Sequence, residues 1–226
     1  RVVSYGELLS SQIIAEALRS ELGGCEWKDS RELITTNSNF GSAAVDFAVT
    51  NKKIADYFSG HSARLFMMPG FIASDAQGVN TTLGRGGSDY TGAILAAALD
   101  ADVLEIWTDV SGMMTADPRQ VSNVRIIPQI SYQEAMELSH FGAKVIYPPT
   151  IQPVRSKGIP TWIKNTFAPQ DYGTIIQQTS TDTGSSIRGI SSINHIALLS
   201  LEGSGMVGIP GFSKRLFEAL ASRKIN

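Results

Sequence analysis

The densest group of residues able to do chemistry is Thr81-Thr-Leu-Gly-Arg-Gly-Gly-Ser-Asp-Tyr-Thr91. Gly84, Gly86 and Gly87 let the backbone turn tightly and approach a ligand without Cβ obstruction. Ser88 or Asp89 is placed to cap the helix that follows. Free N–H groups at a helix start, together with the helix dipole, favour an anion. Arg85 adds a planar fork suited to a carboxylate or phosphate. The plain alternative is a glycine-rich turn capped by Asp89, with Arg85 pointing into water. The segment is not a phosphate-binding P-loop, since no Gly-x4-Gly-Lys-Ser/Thr occurs in the chain. Nor is it the dinucleotide fingerprint, because Asp89 stands where the last glycine is needed.

A second group begins at Thr108-Asp109, which ends an apolar strand and precedes Val110-Ser-Gly-Met-Met-Thr-Ala-Asp-Pro-Arg119. Polar residues at the carboxyl end of a strand in an open α/β sheet lie where ligands usually bind. The alternative is a turn in which Asp109 and Gly112 serve local geometry. His140-Phe-Gly-Ala-Lys144 presents one cation, Lys144. Glu7 precedes a Ser10-Ser11 helix cap and reads either as a ligand for an amino group or as an ordinary first-turn charge. His61, His140 and His195 have no neighbours at metal-ligand spacing and read as structural. The single cysteine, Cys25, excludes an intrachain disulfide and a multi-cysteine zinc site, and reads as a buried, unreactive thiol.

These groups need a scaffold, and the pattern supplies alternating strands and helices. Ser11 to Leu22 carries Ile13, Ile14, Ala17, Leu18 and Leu22 at helical period, and Gly23-Gly24 ends it. Arg64 to Pro69 reads as a buried strand, alanine-rich Thr91 to Leu99 as helix, and Val103 to Thr108 as strand. Ser131-Tyr-Gln-Glu134 is a capping box opening a helix through Leu138. Pro160 to Lys164 is again strand-like. The alternation predicts an α/β fold with a mainly parallel sheet covered on both faces. Between Gln177 and Ser186 no large apolar residue occurs, which marks a linker over 179–186. Beyond it, Ile196 to Leu201 reads as strand and Ser213 to Leu220 as a short amphipathic helix.

The chain has 226 residues, 42% of them hydrophobic and 18% charged, enough to bury a sizeable core. Nineteen Lys and Arg against 21 Asp and Glu give a net charge of −2 and no general attraction for a polyanion. No run approaches the roughly 18 apolar residues that a membrane helix needs. The first residues, Arg1-Val-Val-Ser-Tyr-Gly6, and the last, Ala221 to Asn226, read as an excerpt from a longer chain.

Taken in order, several segments carry a resemblance. They are Gly6-Glu-Leu-Leu-Ser-Ser11, Pro69-Gly-Phe-Ile72, Thr82 to Thr91, Glu105-Ile-Trp-Thr-Asp-Val110, Thr115-Ala-Asp-Pro-Arg119, Phe141-Gly-Ala-Lys-Val145 and Ile163-Lys-Asn-Thr-Phe167. From Gly6 to about Thr174 the chain resembles the aspartate kinases of the amino-acid kinase family. Ile196 to Gly211 resembles the opening of an ACT regulatory domain, in a style similar to the bifunctional aspartate kinase–homoserine dehydrogenases. The resemblance implies a three-layer αβα amino-acid kinase fold, partial, over residues 1–178. A partial ferredoxin-like ACT domain would follow over 187–226.

It also implies phosphoryl transfer from MgATP to the β-carboxylate of L-aspartate, the first step of the lysine, threonine and methionine pathway. Glu7 would engage the ammonium group and Arg85 a carboxylate, with Gly86, Gly87 and Ser88 positioning the substrate. Asp89 would organise the phosphoryl-transfer centre. Thr108 and Asp109 would line the nucleotide pocket, with Arg119, Lys144 and Val145 reaching toward ATP. Mg²⁺ would sit chiefly on the phosphates, and no protein metal ligand is assigned. A threonine or lysine effector would bind near Gly205, Met206 and Ile209, in a cytoplasmic homo-oligomer paired through ACT domains. Two departures stand out. The family's Lys-Phe-Gly-Gly-Thr/Ser motif is absent, so this stretch by itself is expected to be inactive. Met114 replaces a tyrosine that contacts the nucleotide in some members. The alternatives are an amino-acid kinase with another acceptor, or a non-catalytic amino-acid-binding regulator.

Overall fold

The structure is a computed structural model that describes residues 2–140, 145–180, 187–193 and 211–223. Two compact units divide the chain, Arg1–Ser192 and Ile193–Asn226. In the first unit the order is α1 (Val2–Leu22), β1 (Glu26–Trp27), α2 (Ser30–Leu33), β2 (Thr35–Thr36), α3 (Phe47–Ser59), β3 (Phe66–Met67), β4 (Ile72–Asp75) and β5 (Asn80–Thr82). Then follow α4 (Gly87–Ala98), β6 (Leu104–Thr108), β7 (Gln129–Ser131), α5 (Tyr132–His140), α6 (Pro148–Lys157), β8 (Thr161–Asn165) and β9 (Thr174–Gln177). In the second unit the described helix is α7 (Phe212–Ser222), which contains the predicted Ser213–Leu220 span. The predicted strand Ile196–Leu201 lies outside the described residues, as do Lys144, Gly205, Met206 and Ile209.

Among the described residues the strands form three hydrogen-bonded groups: β1-β3, β2-β4-β5 and β6-β8-β9-β7. Among the described residues β1–β3, β2–β4, β6–β8 and β7–β9 pair in parallel, while β4–β5 and β8–β9 are antiparallel. The parallel majority follows from strands separated by helices, as the alternation predicts. In the third group the register sets Ile106 beside Ile163 and Ile130 beside Ile176. All four are buried, and they form the floor of a core shared with Met113, Tyr132, Ile146, Ile151 and Val154. A second core gathers Leu33, Ile34, Ile54, Ala73, Leu83 and Ile94.

Helix α4 belongs to both cores. Ala93 and Ala96 pack into the first, and Ile94 into the second. A helix buried on two sides has no wide polar face, which explains the run Gly92-Ala-Ile-Leu-Ala-Ala-Ala98. Its small residues let α6 lie close against it. It ends at Asp100, whose φ of 48° is left-handed, with the Ala101 N–H donating to the Ala96 carbonyl at 2.9 Å. Lys157, at the end of α6, pairs with Asp100 at 2.6 Å and ties the two helix ends together.

The capping box at Ser131 forms as expected. The Ser131 N–H donates to Glu134 Oε2 at 2.8 Å, and the Glu134 N–H donates to Ser131 Oγ at 3.2 Å. Helix α1 departs from its reading. Ser10 and Ser11 lie inside it, their hydroxyls donating to the carbonyls of Glu7 and Leu8. This back-bonding lets serine sit mid-helix, so Glu7 lies within α1 and not ahead of a cap. The buried face is Ser4, Leu8, Ser11 and Ala15, while Ile13 is 69% exposed. On that buried face the Trp27 indole N–H donates to Ser11 Oγ at 2.9 Å. Residues 187–192, which composition joins to the second domain, pack within the first unit.

Candidate active site

The loop between β5 and α4 is built so that the helix starts without a side-chain cap. Gly86 is the N-cap residue with φ 67°, and no side chain bonds to the first turn. Ser88 and Asp89, the expected caps, therefore fall inside the first turn, at the second and third helical positions. A left-handed N-cap is open to glycine at little cost, and space enforces the choice. A Cβ on Gly86 would lie 2.4 Å from the Cβ of Tyr147, which sits just ahead of α6. The Gly87 N–H donates to Gly84 O at 3.1 Å and the Tyr90 N–H to Gly86 O at 2.9 Å. Among the described residues the N–H groups of Ser88 and Asp89 have no partner, the condition under which a helix N-terminus binds an anion. Arg85 and Ser88 are exposed at this opening. Asp89 is half-buried, and burial pushes its carboxyl above the ordinary value.

A second loop, Gly70-Phe71, is clamped to the first. Phe71 has a φ of 70°, an uncommon conformation for a bulky residue. It is held there from both sides. Its N–H donates to Thr91 Oγ1 at 3.0 Å, and its carbonyl accepts from the Leu83 N–H at 2.9 Å. The Thr91 hydroxyl donates in turn to Gly87 O at 2.9 Å. Thr91 is buried, so one hydroxyl fixes the spacing of two loops. Sequence pattern marks neither Phe71 nor Thr91 as a functional residue, because a bridge across 20 residues leaves no local signal.

The predicted nucleotide residues divide. Arg119 and Val145 line one cavity, with Val110, Gly112, Met114, Asp117, Leu138 and Ile190 among its other walls. Thr108 and Asp109 immediately precede Val110 but do not line it, and Lys144 is not described. Thr108 Oγ1 donates to Asp109 Oδ1 at 3.2 Å, and the Thr108 carbonyl accepts from Thr166 N–H at 2.8 Å. The loop after β6 is braced by Asn165 Nδ2 donating to Ser111 Oγ at 2.9 Å and Ser111 Oγ donating to Asp171 at 2.6 Å. Arg119 stands at the cavity rim, its guanidinium donating to both Asp117 oxygens at 3.0 and 2.7 Å. That two-pronged bond leads the causes that raise its pKa further. Glu7 is half-buried on α1 and, among the described residues, makes no hydrogen bond or ion pair with the 84–89 loop.

The arrangement is thus a helix start with free N–H groups and a largely apolar cavity with an arginine at its edge. Comparison with known proteins decides what kind of scaffold carries it. The amino acid kinase family profile matches residues 1–165. The chain belongs to the amino acid kinase family. The ACT domain profile matches residues 199–226. A chloroplastic bifunctional aspartokinase/homoserine dehydrogenase of Daucus carota is 40% identical over 97% of this chain and 25% of its own length. Lysine-sensitive aspartokinase 3 of Escherichia coli is 38% identical over 100% of this chain and 50% of its own. The crystal structure of E. coli aspartokinase III in complex with aspartate and ADP superposes with a TM-score of 0.83 at 35% identity, covering 99% of this chain and 50% of that one. The chain therefore spans a quarter to a half of the length of these relatives, and it has the amino acid kinase fold. No helix of the described residues is long and apolar enough to cross a membrane.

Two outcomes test this geometry. Thr91→Val keeps the shape but leaves the Phe71 N–H without its acceptor, and should destabilise the fold by about 1–3 kcal/mol, whereas Thr91→Ser should retain most of it; urea melts of both variants measure this. The raised carboxyl of Asp89 means that the folded protein holds this proton more tightly than the unfolded one. The contribution of Asp89 to stability should therefore fall as pH rises from the ordinary aspartate value of 3.8 through the raised value, and level off above it. Asp89→Asn should remove that fall. Melting curves of parent and variant should coincide in acid and separate, with the variant more stable, toward neutral pH.

Proposed function

We propose that this chain is the substrate- and nucleotide-binding portion of an aspartate kinase, which transfers the γ-phosphoryl group of ATP to the β-carboxylate of L-aspartate. The observation that carries the proposal is the uncapped start of α4, where two unpartnered N–H groups and the exposed fork of Arg85 meet. Its aspartokinase relatives match nearly the whole chain, and aspartokinase III was crystallised with aspartate and ADP.

In this reading Arg85 holds one substrate carboxylate by its two-pronged fork, and the amides of Ser88 and Asp89 add donors at fixed positions. Gly86 and Gly87 would position the substrate indirectly, since their lack of a side chain lets Tyr147 and Phe71 pack against the loop and hold the helix start in place. Glu7 would take the ammonium group. A carboxylate is already a nucleophile, so no general base is needed. One of its oxygens attacks the γ-phosphorus, the bond from phosphorus to the β,γ-bridging oxygen breaks, and ADP departs with that electron pair. Positioning and charge neutralisation do most of the work in such a transfer. The apolar cavity suits a base, and Arg119, held out at its rim by Asp117, suits a phosphate. Lys144 would join Arg119 there, with Thr108 and Asp109 at the approach. Mg²⁺ would ride on the phosphates, keeping phosphate and water ligands. Half-buried Asp89, in the first turn beside these amides, would organise the phosphoryl-transfer centre.

We place the boundary between catalytic and regulatory portions at Ser192–Ile193, where the compact units divide, later than the 178 and 187 limits that composition suggests. The regulatory portion would bind an amino-acid effector near Gly205, Met206 and Ile209 and pair between subunits of a cytoplasmic enzyme. An aspartokinase III structure with lysine and aspartate, at 35% identity and a TM-score of 0.72, supports an amino-acid effector. Arg85→Ala in the intact protein should raise the aspartate KM and lower kcat, cutting kcat/KM by roughly 100-fold while nucleotide affinity holds. Steady-state kinetics in an ATP-coupled aspartate assay decide the matter, and wild-type values would sink the assignment.

A further inference from the structure

Residues 187–192 contain no motif, yet they are pinned to the first unit along their length. Arg188 Nε lies 3.4 Å from Glu134 Oε1, and Arg188 Nη2 donates to Ser180 Oγ at 3.4 Å. The Ile190 N–H donates to the Thr115 carbonyl at 2.8 Å. Gln120 Nε2 donates to Ser192 Oγ at 3.5 Å. Gly189 rests on Leu138 so closely that a Cβ there would stand 3.3 Å and 3.4 Å from its two methyl carbons. The anchor points matter. Thr115 and Gln120 belong to the loop that forms the cavity, and Glu134 to the capping box that starts α5.

The result is that Ile190, Ser191 and Ser192 line the same cavity as Met114, Arg119 and Val145. Ile190 is anchored through its backbone but remains 67% exposed. An apolar side chain fixed in place at a cavity wall, and left uncovered, is surface that a flat apolar ligand would bury. The two serine hydroxyls beside it offer donors and acceptors for polar edges.

We infer that residues 190–192 form the outer wall of the nucleotide site, touching the base or ribose of a bound nucleoside di- or triphosphate, and that the Arg188–Glu134 pair latches this wall shut. The inference rests on the nucleotide reading of the cavity. It adds to it a wall drawn from beyond the last strand of the kinase sheet. Because Ser192 is followed directly by Ile193, the wall is also the last piece of the first unit before the second begins. Ser191 and Ser192 would be specificity-determining residues, and Arg188 and Gly189 positioning residues that act through the wall.

The test uses the intact protein with ADP as probe. Arg188→Ala removes the latch, and Gly189→Val drives a branched side chain against Leu138 and lifts the wall. Calorimetric titration should show ADP binding about tenfold weaker in each variant, with the aspartate KM changed less than about twofold. In the parent, hydrogen exchange at the Ile190 amide should slow when ADP is added. Equal ADP affinity in parent and both variants, or an Ile190 amide indifferent to ADP that the parent demonstrably binds, overturns the wall alone. A parent that binds no ADP overturns the nucleotide reading and the wall with it.

Discussion

Helix α4 has to satisfy two hydrophobic cores at once and still present a bare N-terminus, and the rest of the first unit is arranged around that demand. Burial on both sides restricts the helix to small and medium apolar residues after its first turn. That in turn brings α6 close, and Tyr147 at the start of α6 lands on Gly86. Nothing but glycine fits there, so no side chain is available to cap the helix from that position. The unpartnered amides are therefore a consequence of packing. Thr91 completes the arrangement by joining Gly87 to the strained Phe71 turn through a single buried hydroxyl.

The charge distribution follows the same economy. A net charge of −2 offers no long-range attraction for an anionic substrate. The chain places single cations where a dipole or a neighbouring carboxylate already fixes geometry. Arg85 stands at a helix start, and Arg119 is aimed by Asp117. Small anions such as a carboxylate or a phosphate need positioning at this scale, and a basic surface would add little discrimination.

How much of this could be read from the residues varied with the range of the interaction. Helix α4, strand β6 and the capping box are local patterns, and each was legible. Helix α3 is absent from the expected elements although Asp46 caps it through the Val49 N–H and Gly60 ends it. Helix α6, with Pro148, Pro149 and Pro153, runs against propensity. Its first two prolines sit at the start, where the missing N–H groups are no loss, and its buried Ile151 and Val154 hold the rest. Helix α1 buries Ser4, Leu8, Ser11 and Ala15 and leaves Ile13 exposed, against the row through Ile13 that helical period suggests, and the contact of Ser11 with Trp27 comes from 16 residues away. At the site, the glycine motif and Arg85 carried their meaning in composition. Phe71, Thr91, Tyr147 and Ile190 did not, since each acts through a partner distant in sequence. Bridges of that kind leave no period or motif in the residues that make them.

The central claim is that a carboxylate bound at the start of α4 accepts a phosphoryl group. The direct measurement is hydroxylamine trapping with the intact protein, ATP and L-aspartate. An aspartate kinase would yield aspartyl β-hydroxamate in step with ADP, because the acyl phosphate formed on the β-carboxylate is captured by the amine. ADP released without hydroxamate, or hydroxamate formed from another amino acid and not from aspartate, would contradict the account.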